Sequence, residues 1–231
     1  MGSIHDNLQA VRQRIARAAT AAGRDPRGVT LLAVSKTHPA GLVEQAVTAG
    51  QRAFGENYVQ EAIEKMDTLR AGVDAGLEWH LIGPLQSNKT RLVAERFQWV
   101  QSVESEKIAR RLSGQRSGNL PPLNVLIQVN VSGESSKSGV SPSEASSLAK
   151  AIQPLPRLRL RGLMAIPEPG ASQERYRELK ALYDALKADL RLDTLSVGMS
   201  DDLETAIAQG STMVRVGTAI FGARQTVRPA A

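Results

Sequence analysis

The sequence predicts an α/β fold built as a single (β/α)8 barrel with an extra helix at its N-terminus. Three observations carry that reading. From Val29 onward, short apolar runs alternate with amphipathic helical stretches, the pattern of parallel strands joined by crossover helices. Eight such units can be counted, and 231 residues lie near the lower size limit of a TIM-type barrel. No linker, internal repeat or low-complexity tract divides the chain, so residues 1–231 read as one domain. An open, doubly wound sheet satisfies the same alternation and stays open at this level.

The elements follow in order. Ile4, Leu8, Val11, Ile15, Ala18 and Ala22 form one apolar stripe on a helix over residues 4–22, which Gly23 ends. Residues 29–35 (VTLLAVS) read as a buried strand, and 39–49 as a helix stopped by Gly50. Strands at 52–54, 78–82 and 98–103 then alternate with helices at 57–69, 87–97 and 105–112. Residues 124–131 are a strong strand. After the loop 132–138, Ser141, Pro142 and Glu144 open a helix with a cap, a first-turn proline and a capping-box glutamate. The strand 159–166 begins within Leu158-Arg159-Leu160-Arg161, whose apolar–charged alternation suits the half-exposed bottom of a barrel. A long helix covers 173–190, with Tyr176, Leu179, Leu182, Tyr183, Leu186 and Leu190 on one face. Strands at 195–198 and 213–216 flank a helix at 201–209, and a short helix begins near Thr218.

Composition narrows the function classes. With no cysteine, disulfides, thiolate metal sites and cysteine nucleophiles are excluded. No run of about 18 apolar residues offers a membrane span. The first ten residues lack a signal-peptide pattern, and Asp6 stands where a myristoylation signal needs Ser or Thr, so a cytoplasmic location is expected. The net charge of +6 is spread along the chain, and aromatics are only 3%, leaving few platforms for stacking bases. An anionic small molecule, and not nucleic acid, is the expected partner. A monomer is expected, because no long apolar stripe is left over once the barrel is assembled.

In such barrels the active face lies at the C-terminal ends of the strands. Along the first strand, Leu32, Val34 and Lys36 share one face. If the first two fill the interior, Lys36 points into the barrel mouth, where lost hydration makes its amine easier to deprotonate and more nucleophilic. Position alone also fits an ordinary surface lysine. The last two strands end in Val197-Gly198-Met199-Ser200 and Val216-Gly217-Thr218, each pairing glycine with a hydroxyl residue ahead of a helix. Such turns cradle phosphate, and barrel phosphate sites are commonly built after these two strands. Asp201 and Asp202 must then point away from a bound dianion. Arg215 shares a face with Met213; if that face is interior, its buried guanidinium needs a phosphate, a ring nitrogen or a structural carboxylate. An imine-forming lysine, a phosphate cradle and an arginine beside a ring together suggest pyridoxal 5'-phosphate.

The strings LLAVSKTHP, FGENYVQE, WHLIGPLQSNK, QVNVSGESSKSG, GLMAI, VGMSDDLETAI and RVGTAIFG run in order from about Leu31 to Gly222. In them the sequence resembles the YggS/PROSC family of pyridoxal-phosphate homeostasis proteins. The N-terminal helix and residues 114–122 carry little of the resemblance. It implies one barrel like the N-terminal domain of fold-type III pyridoxal-phosphate enzymes, the alanine racemase kind. It places the Schiff-base lysine on Lys36, the phosphate ligands on Ser200, Gly217 and Thr218, and the ring-nitrogen arginine on Arg215. Asn57 falls near the imine, and His80 and Met199 fall where they would line the pocket.

The resemblance further implies a carrier or buffer of the cofactor that influences amino-acid and keto-acid balance, with pyridoxal-phosphate-dependent apo-enzymes as recipients. Two chemical points bear on this choice. An arginine partner keeps the ring nitrogen unprotonated and weakens the electron sink, but racemases manage with an arginine, so this alone decides nothing. Racemization needs acid–base groups on both faces of the substrate carbon, and in racemases of this fold one comes from a second domain or subunit. The sequence closes at Ala231, shortly after the last strand, without such a domain. The enzymatic alternative is a weak amino-acid racemase. Lys137, in the loop after the fifth strand, is a second amine on the expected active face and could help hand over the aldehyde; a solvated loop lysine is the simpler reading.

Overall fold

The computed structural model describes residues 2–70, 76–134 and 137–223. Its sheet is closed, which decides between the two architectures that the alternation allowed. The strands β1 (Thr30–Val34), β2 (Ala53–Glu56), β3 (Glu78–Leu81), β4 (Trp99–Val103), β5 (Leu123–Gln128), β6 (Leu158–Met164), β7 (Thr194–Ser196) and β8 (Met213–Val216) pair in chain order. The ring shuts where Thr30, Leu31, Leu32 and Ala33 of β1 lie beside Met213, Val214, Arg215 and Val216 of β8, all parallel.

Helices form the outer layer. They are α1 (Ile4–Ala21), α2 (Ala40–Thr48), α3 (Val59–Arg70), α4 (Thr90–Arg96), α5 (Glu106–Gln115), α6 (Pro142–Ile152), α7 (Gln173–Leu190), α8 (Leu203–Ala208) and α9 (Thr218–Phe221). Single 3-10 turns precede β1 and α4. The extra helix α1 packs on α2, α8 and α9. Ser3 caps it, accepting from the Asp6 amide while the Asp6 carboxylate takes the Ser3 amide and hydroxyl. Its stripe buries Leu8, Val11 and Ile15 and passes to Ala19 in the last turn, because a period of 3.6 drifts off a strict four–three alternation. At α6, Glu144 accepts the Ser141 amide, as the capping box requires. Residues 135–136 of the loop after β5 lie outside the described residues. Among the described residues, no helix is long and apolar enough to cross a membrane.

Burial separates two cores. Ala33, Phe54, Val100, Leu163 and Val214 join the helices in the outer core. Their sequence neighbours turn inward: Leu32, Val34, Ala53, Ile82 and Met213 form one lumen cluster, and Trp99, Leu126 and Met164 another. This is the alternation of a strand with one face to the helices and one to the barrel axis. The start of β6 is half-exposed, as its alternating arginines imply. There Arg161 lies 4.6 Å over the Trp99 ring and pairs with Asp193 at 2.7 Å, covering the bottom of the lumen.

Candidate functional site

The ends of β1, β2, β7 and β8 deliver candidate residues to the mouth. Lys36 follows β1, Asn57 follows β2, Met199 and Ser200 follow β7, and Gly217 and Thr218 follow β8. Together with Arg215 they line one cavity of about 240 Å³. Seven of the eight residues singled out in the sequence therefore meet at one place. Lys36 is half-buried there, on the face set by Leu32 and Val34.

His80 is the exception. It does not line the cavity: it is fully buried in the lumen, its ring stacked on Trp99 at 4.9 Å, with Nδ1 2.9 Å from Gln101 Nε2. His80 and Ile82 share the inward face, and it is Ile82, one layer higher, that reaches the mouth. Alternation told the two faces of β3 apart but not the depth along it. Burial holds the His80 imidazole below its ordinary pKa, so it is neutral at physiological pH.

Arg215 is 4% exposed. Its guanidinium donates to the carbonyls of Ser196 (2.8 Å) and Ala165 (2.9 Å) and to Ser196 Oγ (2.9 Å). Main-chain acceptors of β7 and of the segment after β6 thus hold it, not the structural carboxylate allowed from the sequence. Burial lowers its pKa to about 10, which still leaves it charged at neutral pH. Ser196 Oγ in turn donates to Gln101 Oε1 at 2.7 Å, so Arg215, Ser196, Gln101 and His80 form one polar chain through the lumen.

The turn after β7 is held from several sides. Asp202 accepts the Met199 amide on Oδ1 and the Tyr176 hydroxyl on Oδ2. Arg14 of α1 donates to the Ser200 carbonyl at 3.0 Å and pairs with Glu204 at 2.8 Å. Asp202 is therefore turned away from the cavity, as a bound dianion would require. Asp201 is exposed at the edge of the cavity. Next to Asn57, a Cβ on Gly83 would stand 2.4 Å from the Asn57 carbonyl, so this close approach needs glycine. Asn57 Oδ1 is buried with no hydrogen-bond partner among the described residues.

The cavity wall also includes Val34, His38, Ile82 and Ile166, which the sequence reading did not single out. The signal was present. His80 to Ile82 and Met164 to Ile166 each step two residues up an inward face, and His38 stands two residues beyond Lys36. A second cavity of about 200 Å³ shares Asn57, Ile82 and Ile166 with the first. Lys137 is in its wall, paired with Glu134 at 2.9 Å and Ser132 Oγ at 3.0 Å.

Comparison with known proteins agrees with this architecture. Residues 7–225 match the family model described as alanine racemase, N-terminal domain. The pyridoxal phosphate homeostasis protein of Pseudomonas aeruginosa is 58% identical over 100% of both chains. That of Escherichia coli is 56% identical over 97% of this chain and 98% of its own. PipY of Synechococcus elongatus, solved with PLP bound, superimposes with a TM-score of 0.82 at 35% identity, covering 95% of this chain and 100% of PipY. An alanine racemase of Clostridium difficile shares the fold (TM-score 0.73, 16% identity), and this chain spans 58% of that chain's length. By sequence along its whole length and by its closed eight-stranded barrel, the chain belongs to the family of pyridoxal phosphate homeostasis proteins, on the barrel of the alanine racemase N-terminal domain.

Proposed function

We propose that this protein binds pyridoxal 5'-phosphate at the mouth of its barrel, through a Schiff base with Lys36, and serves as a reversible holder of the cofactor inside the cell. The observation that carries the reading is the convergence of Lys36, Arg215, Ser200, Gly217 and Thr218 on one cavity of about 240 Å³. The residues fit the group. The volume suits a one-ring cofactor better than a larger ligand. The fixed cation of Arg215 suits a ring nitrogen acceptor, and the hydroxyls and main chain of Ser200, Gly217 and Thr218 suit a phosphate. The unpartnered Asn57 Oδ1 suits an N–H donor beside Lys36. When bound, the cofactor supplies an aldehyde and an electron-accepting ring.

Lys36 contributes the nucleophile. Its amine, at the cavity wall, would hold the cofactor's aldehyde reversibly, and water would release it without net redox change. Arg215 keeps its own proton at neutral pH, so it donates a hydrogen bond to the ring nitrogen and does not protonate it. That would weaken the ring as an electron sink; racemases of this fold manage with an arginine too, so the choice of holding over turnover does not rest on it. The names of the relatives, which speak of homeostasis, support holding. We take the recipients to be apo-enzymes that use the cofactor, and the protein itself to be a monomer.

Borohydride reduction of the holo-protein followed by peptide mass mapping tests the site. A phosphopyridoxyl group on Lys36 is expected, and label on another lysine instead would overturn the assignment. Incubating the holo-protein with a panel of L- and D-amino acids tests the role. Sustained turnover well above that of the cofactor alone would replace the holder with an enzyme.

A further inference from the structure

Behind Lys36 lies a buried ionic cluster for which the cofactor site itself has no use. Lys65 of α3 is 4% exposed. Its Nζ donates to Glu56 Oε1 (2.7 Å), Glu61 Oε1 (2.6 Å) and the Ser35 carbonyl (2.6 Å). The Ser35 hydroxyl donates to the same Glu56 oxygen at 2.7 Å. The Thr37 amide donates to the same Glu61 oxygen at 2.5 Å. The residues immediately before and after Lys36 are thus tied to the same three side chains.

Two features show that this is more than packing. A lysine and a carboxylate taken out of water, Lys65 and Glu56, are costly to bury, and apolar side chains of similar volume would stabilise the fold as well or better. Here the polar groups converge on the backbone of one tripeptide. At its end, Thr37 has φ of 65°, a left-handed conformation that a β-branched residue keeps only when its surroundings impose it. The Thr37 amide is one of the groups that Glu61 holds. If Thr37 relaxed to negative φ, the chain leaving Lys36 would change direction, and the amine would lose its aim into the cavity.

We propose that Lys65, Glu56 and Glu61 form a positioning clamp that holds residues 35–37 so that the Lys36 amine faces the cavity, and thereby sets how fast that amine captures and releases an aldehyde. The clamp rests on the reading of Lys36 as the Schiff-base residue. Its members touch neither ligand nor reacting atoms; they act through the backbone on either side of Lys36.

Glu61→Ala is the discriminating variant. Glu61 is partly exposed in the first turn of α3, alanine is helix-favouring, and the Lys65–Glu56 pair stays intact, so folding is preserved. The full-length apo-protein is mixed with pyridoxal 5'-phosphate, and Schiff-base formation is followed by absorbance. Hydrogen exchange of the Thr37 amide is measured on the same samples. Loss of aim is expected to slow Schiff-base formation about tenfold in Glu61→Ala, with faster Thr37 exchange. Glu61→Gln keeps an oxygen for the Thr37 amide and should return to within about twofold of the parent. Glu64→Ala, an exposed acid of the same helix, should change neither reading. Parental Schiff-base kinetics in Glu61→Ala, or exchange unaltered at Thr37, would overturn the clamp. A parent protein that takes no label on Lys36 would overturn the cofactor reading and the clamp with it, while Thr37 exchange would still report whether Glu61 holds the backbone.

Discussion

Arg215 is defined less by its own chemistry than by three acceptors that surround it. Ser196 O, Ser196 Oγ and Ala165 O fix the guanidinium plane while leaving it in the cavity wall. Arg215→Leu removes the donor and leaves the buried Ala165 carbonyl without it, while Ser196 keeps its bonds to the Ala165 amide and to Gln101. Buried groups left unsatisfied cost about 1–3 kcal/mol, so the urea midpoint should fall. Affinity for pyridoxal 5'-phosphate should fall about tenfold or more, the worth of one hydrogen bond from a charged donor. Arg215→Lys should recover little of either, since a point charge cannot reproduce the planar fork. Absorbance titration and urea unfolding on the same samples check both, and binding as tight as the parent's in Arg215→Leu would take the residue out of the site. Lys36 and Arg215 were legible in the sequence because inward alternation along a strand needs only the residues on it. The acceptors of Arg215 were not legible, since two are carbonyls, which carry no side-chain signal, and all come from other parts of the chain.

Among the elements, β6 shows where alternation breaks and why. Its register against β5 shifts between Val125 and Leu126, and Gly162 sits opposite that shift with φ of 156°. A Cβ at Gly162 would stand 1.7 Å from the Thr194 carbonyl, on backbone that cannot yield without parting β6 from β7. Gly162→Ala should therefore destabilise the protein by about 1–3 kcal/mol, the range of overpacking into fixed structure. It should also weaken cofactor binding, because Ala165 and Ser196, at the upper ends of these strands, are the acceptors of Arg215. Equilibrium urea unfolding measures the first effect, and a midpoint equal to the parent's would show that the strands can separate locally without cost. The strand and helix sequence was readable from periodicity, and α7 begins and ends where its apolar face and flanking residues predict. The bulge was not readable, because a glycine in a strand also fits a plain ladder. Nor was the depth of His80, because period-two alternation assigns a face and not a layer. Closure was expected from the count of eight units, and the pairing of β1 with β8 bears it out, although alternation alone also allowed an open sheet.

At the scale of the whole molecule, the barrel is closed by β-pairing, but the pieces around its mouth and bottom are joined by carboxylates. Glu204 ties α8 to Arg14 of α1. Asp193 ties the entry of β7 to Arg161 of β6. Glu168 accepts from Ser132, joining the segments that follow β6 and β5. The bond from Arg14 lowers the Glu204 pKa, and the bond from Ser132 lowers that of Glu168. For Asp193 burial acts upward, but the bonds from Arg161 and Thr194 outweigh it and the net shift is down. A carboxylate whose folded pKa is depressed adds stability that is present above its unfolded pKa and lost as pH falls through the folded one. Glu56 runs the other way: burial raises its pKa against the pull of Lys65, so its contribution is present at low pH and lost as pH rises. Asp6, Asp25, Glu78 and Glu144 are depressed as well, and against the one raised carboxylate, Glu56, the balance is a net decline on acidification. The urea midpoint should hold roughly level from about pH 7 to pH 5 and fall steadily below about pH 4, where ordinary Asp and Glu protonate. Arg14→Ala removes the Glu204 partner and should make that fall shallower while lowering the plateau slightly, as a partly exposed pair permits. A midpoint that rises between pH 5 and pH 3 would mean that relief of the buried Glu56 charge, and not loss of the surface ties, governs the acid behaviour of the barrel.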